Sequence, residues 1–142
     1  MIKQISVFVE NKKGRLAKIT EVFGEGGVDL IALSIADTTN FGIMRCIVSE
    51  PDKAIAMLKG HGFTASTTDV IVAEVTDKPG GLAQVLKLLD QADISVEYLY
   101  SFVRTPNENA LILFRVEDIA KATNALTEGG VKLLSEQDIY GI

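Results

Sequence analysis

The chain contains one kind of segment twice, VENKKGRLAKITEVF at residues 9–23 and VTDKPGGLAQVLKLL at residues 75–89. In each segment an apolar stretch leads into a short polar turn with glycine, and apolar residues at helical spacing follow. A shift of 66 residues aligns Gly14 with Gly80. Beyond a connector at 104–109 that is longer in the second copy, the shift becomes 68. The sequence is therefore a tandem duplication.

Each copy predicts the same order of secondary structure, because two-residue alternation marks strands, helical spacing marks helices and glycine closes helices. The first copy predicts a strand at 5–9, a helix with an inward face of Leu16, Ile19, Val22 and Phe23 that is stopped by Gly24, Gly26 and Gly27, strands at 30–36 and 42–48 joined by a turn at 37–40, a helix from Pro51, and a strand from about 63. The second copy predicts a strand at 70–75, a helix at 82–89, strands at 94–103 and 110–116, a helix at 119–126, and a strand at 131–134.

The order strand–helix–strand–strand–helix–strand is the ferredoxin-like arrangement. The predicted class is α+β, with two βαββαβ domains at residues 1–68 and 69–142, each a four-stranded antiparallel sheet with two helices on one face. A unit of about 68 residues buries only roughly 60% of its unfolded surface. We therefore expect the copies to pack together and the chain to form a homodimer. The tail at 135–142 is predicted to add a short strand that pairs as the strand from Val70 pairs.

Charge and hydropathy limit the classes of function. The net charge is −5, with 8 basic and 8 acidic side chains in residues 1–69 against 6 and 11 in residues 70–142. No basic run exceeds the pair Lys12–Lys13, so the patch that nucleic-acid backbones require is missing. No apolar stretch approaches the roughly 20 residues of a membrane span, and the N-terminus lacks the features of a signal peptide. With one cysteine, which excludes an internal disulfide, these features predict a cytoplasmic protein without nucleic-acid or membrane partners.

The sequence contains no motif for catalysis or for a cofactor. Neither glycine turn matches the phosphate-binding patterns G-x-x-x-x-G-K-[ST] or G-x-G-x-x-G. His61 is expected at the end of a helix, and Cys46 is expected to be a buried packing residue in an apolar strand. Because His and Cys do not cluster, we expect no metal site. The prediction is a protein that is not an enzyme and that carries no cofactor.

The loop between the first strand and the first helix resembles that of a known family. In the second copy it reads DKPGGL at residues 77–82, and ADISV at residues 92–96 enters the next strand. These residues resemble the D-x-P-G-x-L pattern of the ACT domain, a small-molecule-sensing module of amino-acid biosynthetic enzymes and their regulators. The first copy, NKKGRL at residues 11–16, departs from the pattern by placing Lys13 at the proline position. The resemblance covers the whole chain as two consecutive copies without an attached catalytic domain.

The ACT resemblance implies a ligand, often an amino acid, bound between ACT units near this loop, with the start of the next strand as the facing wall. The helix N-terminus suits a carboxylate, glycine allows close approach, and Asn11 or Asp77 offers an acceptor for an ammonium group. The implied ligand-binding residues are Asn11, Lys12, Gly14, Arg15, Leu16, Asp29, Leu30, Ile31, Asp77, Pro79, Gly80, Gly81, Leu82, Ser95, Val96 and Glu97. Purely structural roles in capping and loop geometry remain open for these residues.

Together these features favour a stand-alone tandem ACT protein that binds an amino acid and regulates a target enzyme allosterically, through ligand-dependent packing of domains or subunits. One alternative is a regulatory subunit of an acetolactate-synthase-like enzyme, which would need a dissimilar C-terminal half. Another is a small ferredoxin-like enzyme, which would need polar groups that converge on the sheet. The identity of the ligand, the partner and the number of binding copies remain open, and the contrast of Asn11 and Lys13 with Asp77 and Pro79 indicates unlike sites.

Overall fold

The computed structural model describes residues 1–37, 40–102 and 109–141. Its elements are β1 (Ile2–Glu10), α1 (Arg15–Glu25), β2 (Leu30–Asp37), β3 (Phe41–Val48), α2 (Pro51–Gly60), β4 (Ala65–Val75), α3 (Gly81–Gln91), β5 (Val96–Ser101), β6 (Ala110–Val116), α4 (Ile119–Glu128), β7 (Lys132–Leu133) and α5 (Glu136–Tyr140). They divide into two compact units, residues 3–68 with Gly141 and residues 1–2 with 69–140. The predicted α+β class and ferredoxin-like order are confirmed.

In the unit of residues 3–68, antiparallel strands follow the order β2-β3-β1-β4. Val9 lies opposite Gly42 on β3, and Leu33 lies opposite Cys46. One face of this sheet packs against α1 and α2 because strand alternation and helical spacing both direct apolar side chains there. The core formed in this way includes Ile5, Val7, Val9, Ile19, Val22, Phe23, Met44, Cys46, Ala54 and Leu58.

The second unit repeats this arrangement with the strand order β7-β4-β6-β5. Ala73 on β4 lies between Ile112 on β6 and Leu133 on β7. The core beneath α3 and α4 includes Ile71, Ala73, Val75, Val85, Leu89, Phe114, Val116, Ala122 and Leu126. The duplication in sequence therefore produces two sheets of the same topology, each with its own core.

The strands that meet at the boundary between the copies differ from the sequence prediction. The strand expected to close the first copy and the strand expected to open the second are one continuous strand, β4, of 11 residues. No glycine or proline occurs within it, and the β-branched residues Thr67, Thr68, Val70 and Ile71 favour extended backbone. The chain therefore passes from one unit to the next without a turn.

Helix α1 differs from its prediction at its N-terminal end. Leu16, expected on the packed face, lies in the first turn and is 42% exposed, so the buried face begins at Ile19. Helical spacing gives the direction of a side chain but not how far the covering sheet extends. At its other end the helix stops within the predicted run of glycines, since Glu25 is its last residue, Gly26 is the C-cap and Gly27 adopts the left-handed backbone at φ 70°.

Some expected features lie outside the described residues. They are residues 38–39 of the turn at 37–40, residue 103 at the expected strand end, and residues 104–108 of the longer connector. Among the residues that are described, no helix is long and apolar enough to cross a bilayer.

The C-terminal tail forms a helix, and the prediction of an extra strand is wrong. Helix α5 begins after Ser135, whose hydroxyl accepts a hydrogen bond from the Asp138 N–H at 3.2 Å. The Asp138 carboxylate accepts one from the Ser135 N–H at 3.0 Å, and these Ser135 hydrogen bonds lower the pKa of Asp138. The spacing S-x-x-D is a capping box, which the sequence displays. Ile139 is buried completely, so the helix docks through one apolar side chain.

Replacing the capping hydroxyl tests this account of the tail. Ser135→Ala removes an N-cap acceptor and should cost about 1 kcal/mol. Because the Ile139 N–H donates to the Ser135 carbonyl at 3.1 Å, its amide hydrogen exchange should accelerate by about fivefold or more. Gln137→Ala in the same helix is the control and should leave this exchange rate unchanged. Equal exchange rates at Ile139 in the two variants would contradict the capping box.

Candidate functional site

The two strand-to-helix loops have the same backbone. Gly14 and Gly80 adopt the left-handed conformation at φ 88° and φ 85°, immediately before α1 and α3. The N–H of Lys12 donates to the Glu10 carbonyl at 2.7 Å, and in the other copy the N–H of Lys78 donates to the Thr76 carbonyl at 2.9 Å. Left-handed backbone favours glycine because other residues place a Cβ against the carbonyl.

Both loops leave the start of a helix open. Residues 11–14 and 76–80 are exposed, so Asn11, Lys12, Asp77 and Pro79 all face solvent. Neither α1 nor α3 has a side-chain cap, whereas α4 is capped by Asp118, which accepts from the Lys121 N–H at 3.0 Å. A Cβ at Gly14 or Gly80 would meet no atom within 4 Å. The N–H of Arg15 or Gly81 donates to a loop carbonyl, and the N–H groups that follow it in the first turn have no side-chain cap, which makes them available to an anionic ligand group.

The next residue distinguishes the two loops. A Cβ at Gly81 would lie 2.0 Å from the Thr76 carbonyl oxygen, so this glycine is required by close packing of the loop. The first copy has Arg15 there, and its N–H to the Lys12 carbonyl distance is 3.4 Å against 3.0 Å for Gly81 to Lys78. The first loop thus accommodates a long basic side chain that the second loop excludes. Leu82 follows Gly81 and is half-buried.

The start of the second strand in each copy lies beside the second helix of that copy. The Asp29 N–H donates to the Ser49 hydroxyl at 2.9 Å, just before α2. Ser95 and Glu97 line a cavity of about 640 Å³ with residues at the start of α4, including Asp118 and Lys121. None of the residues that line this cavity belongs to the loop at 77–82.

The predicted site is therefore divided within a single copy. Glu10, which leads into the loop, lies opposite Phe41, whereas Leu30 lies opposite Val48. At ~3.3 Å per residue along β3, these positions are roughly 23 Å apart. Within one copy the loop residues lie near one another, and so do the strand-start residues. The two sets, however, lie far apart.

A β-bulge occupies the same place in both copies and presents different side chains. The pairing of β2 with β3 shifts register between Leu30 and Ala32, and that of β5 with β6 shifts between Val96 and Tyr98. The residues at the two bulges are Ile31, which is completely buried, and Glu97, whose carboxylate pairs with Arg115 at 3.1 Å. Bulges change the direction of side chains, and at this position one copy has an apolar side chain and the other a charged one.

The first cavity, of about 320 Å³, lies beside the first loop. Its lining residues are Phe8, Glu10, Arg15, Phe41, Gly62, Phe63 and Thr64. The Arg15 guanidinium carbon lies 4.6 Å from the centre of the Phe63 ring, a cation–π distance. The Arg15 Nε is buried and makes no hydrogen bond to any described residue. The Phe8 and Phe41 ring centres are 5.3 Å apart and form an aromatic wall.

The second cavity, of about 240 Å³, lies at the corresponding place in the second copy. At shifts of 66 and 68, each of the residues lining the first cavity corresponds to a residue lining the second, namely Glu74, Thr76, Gly81, Asn109, Gly130, Val131 and Lys132. The Lys132 ammonium and the Glu74 carboxylate pair at 3.7 Å. Its charged side chains are therefore matched within the protein.

The three phenylalanines of the first cavity were not among the residues predicted from the sequence. They come from β1, β3 and the segment before β4, which are distant in sequence. The signal that identifies them is the alignment of the two copies, in which Phe8, Phe41 and Phe63 correspond to Glu74, Asn109 and Val131. Two of these replacements exchange an exposed aromatic ring for a polar side chain, whereas Phe63, a core residue, is exchanged for another apolar residue.

Cys46 and His61 are the two reactive side chains that the sequence singles out outside the loops. Cys46 is buried, and its burial raises the pKa of the thiol to about 12, so the nucleophilic thiolate is suppressed. His61 follows α2 and is exposed, with Nδ1 at 2.9 Å from the Met57 carbonyl oxygen. Within the described ranges, no three His, Cys, Asp or Glu side chains are placed to hold a metal ion.

Comparison with known families gives the assignment. The family model described as an ACT domain pair matches residues 1–142. The chain belongs to this ACT family. The resemblance found in the loop sequences is thereby confirmed over the whole chain. The two repeats are its first ACT copy and its second ACT copy.

Known structures show the same fold. Protein BT0572 from Bacteroides thetaiotaomicron is 41% identical, with a TM-score of 0.92 over 99% of this chain and 96% of that one. The ligand-free regulatory subunit of aspartate kinase from Thermus thermophilus is 16% identical, with a TM-score of 0.68 over 90% of this chain and 92% of that one. The regulatory subunit of aspartate kinase from Thermus flavus is 14% identical, with a TM-score of 0.62 over 90% and 92%. No curated protein sequence matches the chain.

The structural role of the second loop can be tested by substitution. Gly81→Ala places a Cβ against the Thr76 carbonyl and should lower the free energy of unfolding by about 1 to 3 kcal/mol. Gly24→Ala is the control, because a Cβ there meets nothing within 4 Å and the helical site should gain about 0.5 to 1 kcal/mol. Urea denaturation measures both. A Gly81→Ala variant as stable as the parent would contradict the loop packing.

Proposed function

We propose that this ACT domain pair is a regulatory protein that binds a small molecule, an amino acid, at its strand-to-helix loops. The observation that carries the proposal is the repeated loop itself, exposed in both copies and opening onto an uncapped helix N-terminus. Such a terminus presents N–H groups and partial positive charge to a carboxylate. Asn11 and Asp77 on the same loops supply acceptors for an α-ammonium group.

The facing wall of the site comes, in this proposal, from another ACT copy. Within one copy the loop and the strand start at Asp29 to Ile31 or Ser95 to Glu97 are separated by roughly 20 Å along the sheet. Ligand bound between two copies then favours the packing in which both sets face it. A partner protein that binds one packing more tightly than the other then responds to the amino-acid concentration through this linkage.

A homodimer supplies the second copy. Strand β2 lies at the edge of its sheet and exposes Leu33 and Ile35, with Ile35 48% exposed. An exposed, apolar edge strand is a template for pairing with another chain. We propose that β2 of one chain pairs with β2 of a second.

The regulated partner in this proposal is a separate enzyme, and this chain itself is not catalytic. The relatives from Thermus are regulatory subunits of aspartate kinase, which have this fold and by their names serve another protein. A single, buried thiol suits the reducing cytoplasm.

A thermal shift panel of the amino acids tests ligand binding. An amino acid present at 100 times its dissociation constant should stabilise the protein by about 2.7 kcal/mol, which raises the melting temperature by several degrees. The matching amines without a carboxylate serve as controls and should give smaller shifts. If none of the amino acids moves the melting temperature by more than about 1 °C, the proposed function is wrong.

Sedimentation tests the dimer. Ile35→Lys places a charge in the middle of the exposed edge and should convert a dimer into a monomer at micromolar concentration. Thr127→Lys, on the exposed side of α4, is the matched control and should sediment as the parent does. A parent chain that sediments as a monomer, or an Ile35→Lys variant that remains dimeric, would contradict pairing through β2.

A further inference from the structure

The two ACT copies retain a cavity at one place and line it differently. Every position that lines the first cavity has a counterpart in the second, including the left-handed glycines Gly62 and Gly130 at φ 81° and φ 84°. The backbone that encloses the space is therefore the same in both. What the cavities bind is decided by the side chains that replaced one another.

Aromatic side chains distinguish the first cavity. Phe8 and Phe41 are 51% and 39% exposed, an unusual state for two phenylalanine rings in contact. Their counterparts are Glu74 and Asn109, which are polar. An apolar group placed against the two rings would remove their surface from water, whereas the second cavity offers no such gain.

The charges of the two cavities also differ. In the second cavity the Glu74 carboxylate and the Lys132 ammonium pair with each other. In the first, Arg15 stacks on Phe63 and its buried Nε has no hydrogen-bond acceptor among the described residues. Because this Nε is covered by the protein, a ligand meets the guanidinium from the side on which Arg15 lines the cavity. The planar guanidinium fork suits a carboxylate better than a single-atom acceptor.

Glu10 adds an anionic group at the same cavity. Its carboxylate is 59% exposed and pairs with the Lys12 ammonium at 3.0 Å. The hydrogen bond from Lys12, with the charges of Lys12 and Arg15, lowers the pKa of Glu10 and keeps the group ionised. The cavity therefore presents a guanidinium, a carboxylate and an aromatic wall together.

A zwitterion with an apolar side chain complements these three groups. We infer that the first ACT copy binds an apolar α-amino acid in this cavity, with its carboxylate on Arg15, its ammonium at Glu10 and its side chain on Phe8 and Phe41. The volume of about 320 Å³ is at the small end of ligand cavities and suits one such molecule. The second ACT copy does not bind it. This inference rests on the proposed function and specifies the copy and the class of ligand.

Titration calorimetry of the full chain with L-leucine and L-phenylalanine tests the inference. We expect one molecule bound per chain for at least one of the two. Isoamylamine and phenethylamine, which lack only the carboxylate, should bind at least tenfold more weakly because the hydrogen bond to Arg15 is lost. L-aspartate should also bind at least tenfold more weakly, since its side chain is charged.

A pair of variants assigns the binding to one cavity. Arg15→Gln should weaken binding by about 10- to 100-fold, the range for a hydrogen bond to a charged group. Lys132→Gln is the matched control in the second cavity and should leave the affinity unchanged. Circular dichroism and sedimentation of each variant show whether the fold and the oligomeric state are retained. Phe8→Leu, which keeps an apolar side chain, should weaken binding less than Arg15→Gln does and serves if the latter fails to fold.

The outcomes separate this inference from the proposed function. If an amino acid binds but its affinity is unchanged by Arg15→Gln and by Phe8→Leu, or two molecules bind per chain, the inference is wrong and the proposed function stands. If only a charged amino acid binds, the ligand class is wrong. If the Phe8 variant dissociates a dimer without ligand, a second chain occupies the cavity, which also overturns the inference. If no amino acid binds, both proposals fail.

Discussion

A left-handed glycine at the entry to a helix is the constraint on which both ACT copies depend. At Gly14 and Gly80 the backbone turns from an extended strand into the first helix with φ near 90°, a conformation that other residues adopt at a cost. The turn leaves no side chain to cap the helix, and the start of the helix stays exposed. Because strand, turn and helix are fixed in this way, a space forms beside the turn in each copy.

The duplication keeps this backbone while freeing the side chains to differ. Gly81 is required where the Thr76 carbonyl closes on the helix, whereas the first loop admits Arg15 at the same position. The second cavity satisfies its own charges through Glu74 and Lys132. One copy thus has a cavity whose charged side chains pair with each other, and the other has an arginine and two exposed aromatic rings at the same place. A ligand that contacts the arginine and the rings is the simplest explanation of this difference between the copies.

Local patterns predicted most of the fold, since alternation and helical spacing report directly on which side chains face a core. They failed where the outcome depends on neighbours, as for Leu16, which was expected on the packed face but stays 42% exposed. The continuity of β4 and the helix at Glu136–Tyr140 had local signals, in the lack of turn residues and in the S-x-x-D spacing of Ser135 and Asp138.

The candidate site was less accessible from sequence. Loop residues such as Arg15 follow from a motif, but Phe8, Phe41 and Phe63 meet only because strand register brings three distant segments to one end of the sheet. Register depends on the pairing of whole strands, which no short pattern encodes. Comparison of the two copies supplies part of that information, because equivalent positions occupy equivalent places.

The most direct test of the central claim is fluorine NMR of the chain labelled with fluorophenylalanine and titrated with L-leucine. The chain has six phenylalanines, and single Phe→Leu variants assign their resonances. The account predicts that the resonances of Phe8, Phe41 and Phe63 shift together and saturate with one ligand per chain, while the other three stay in place. Saturable shifts confined to the other three, with the cavity resonances unmoved, would contradict it.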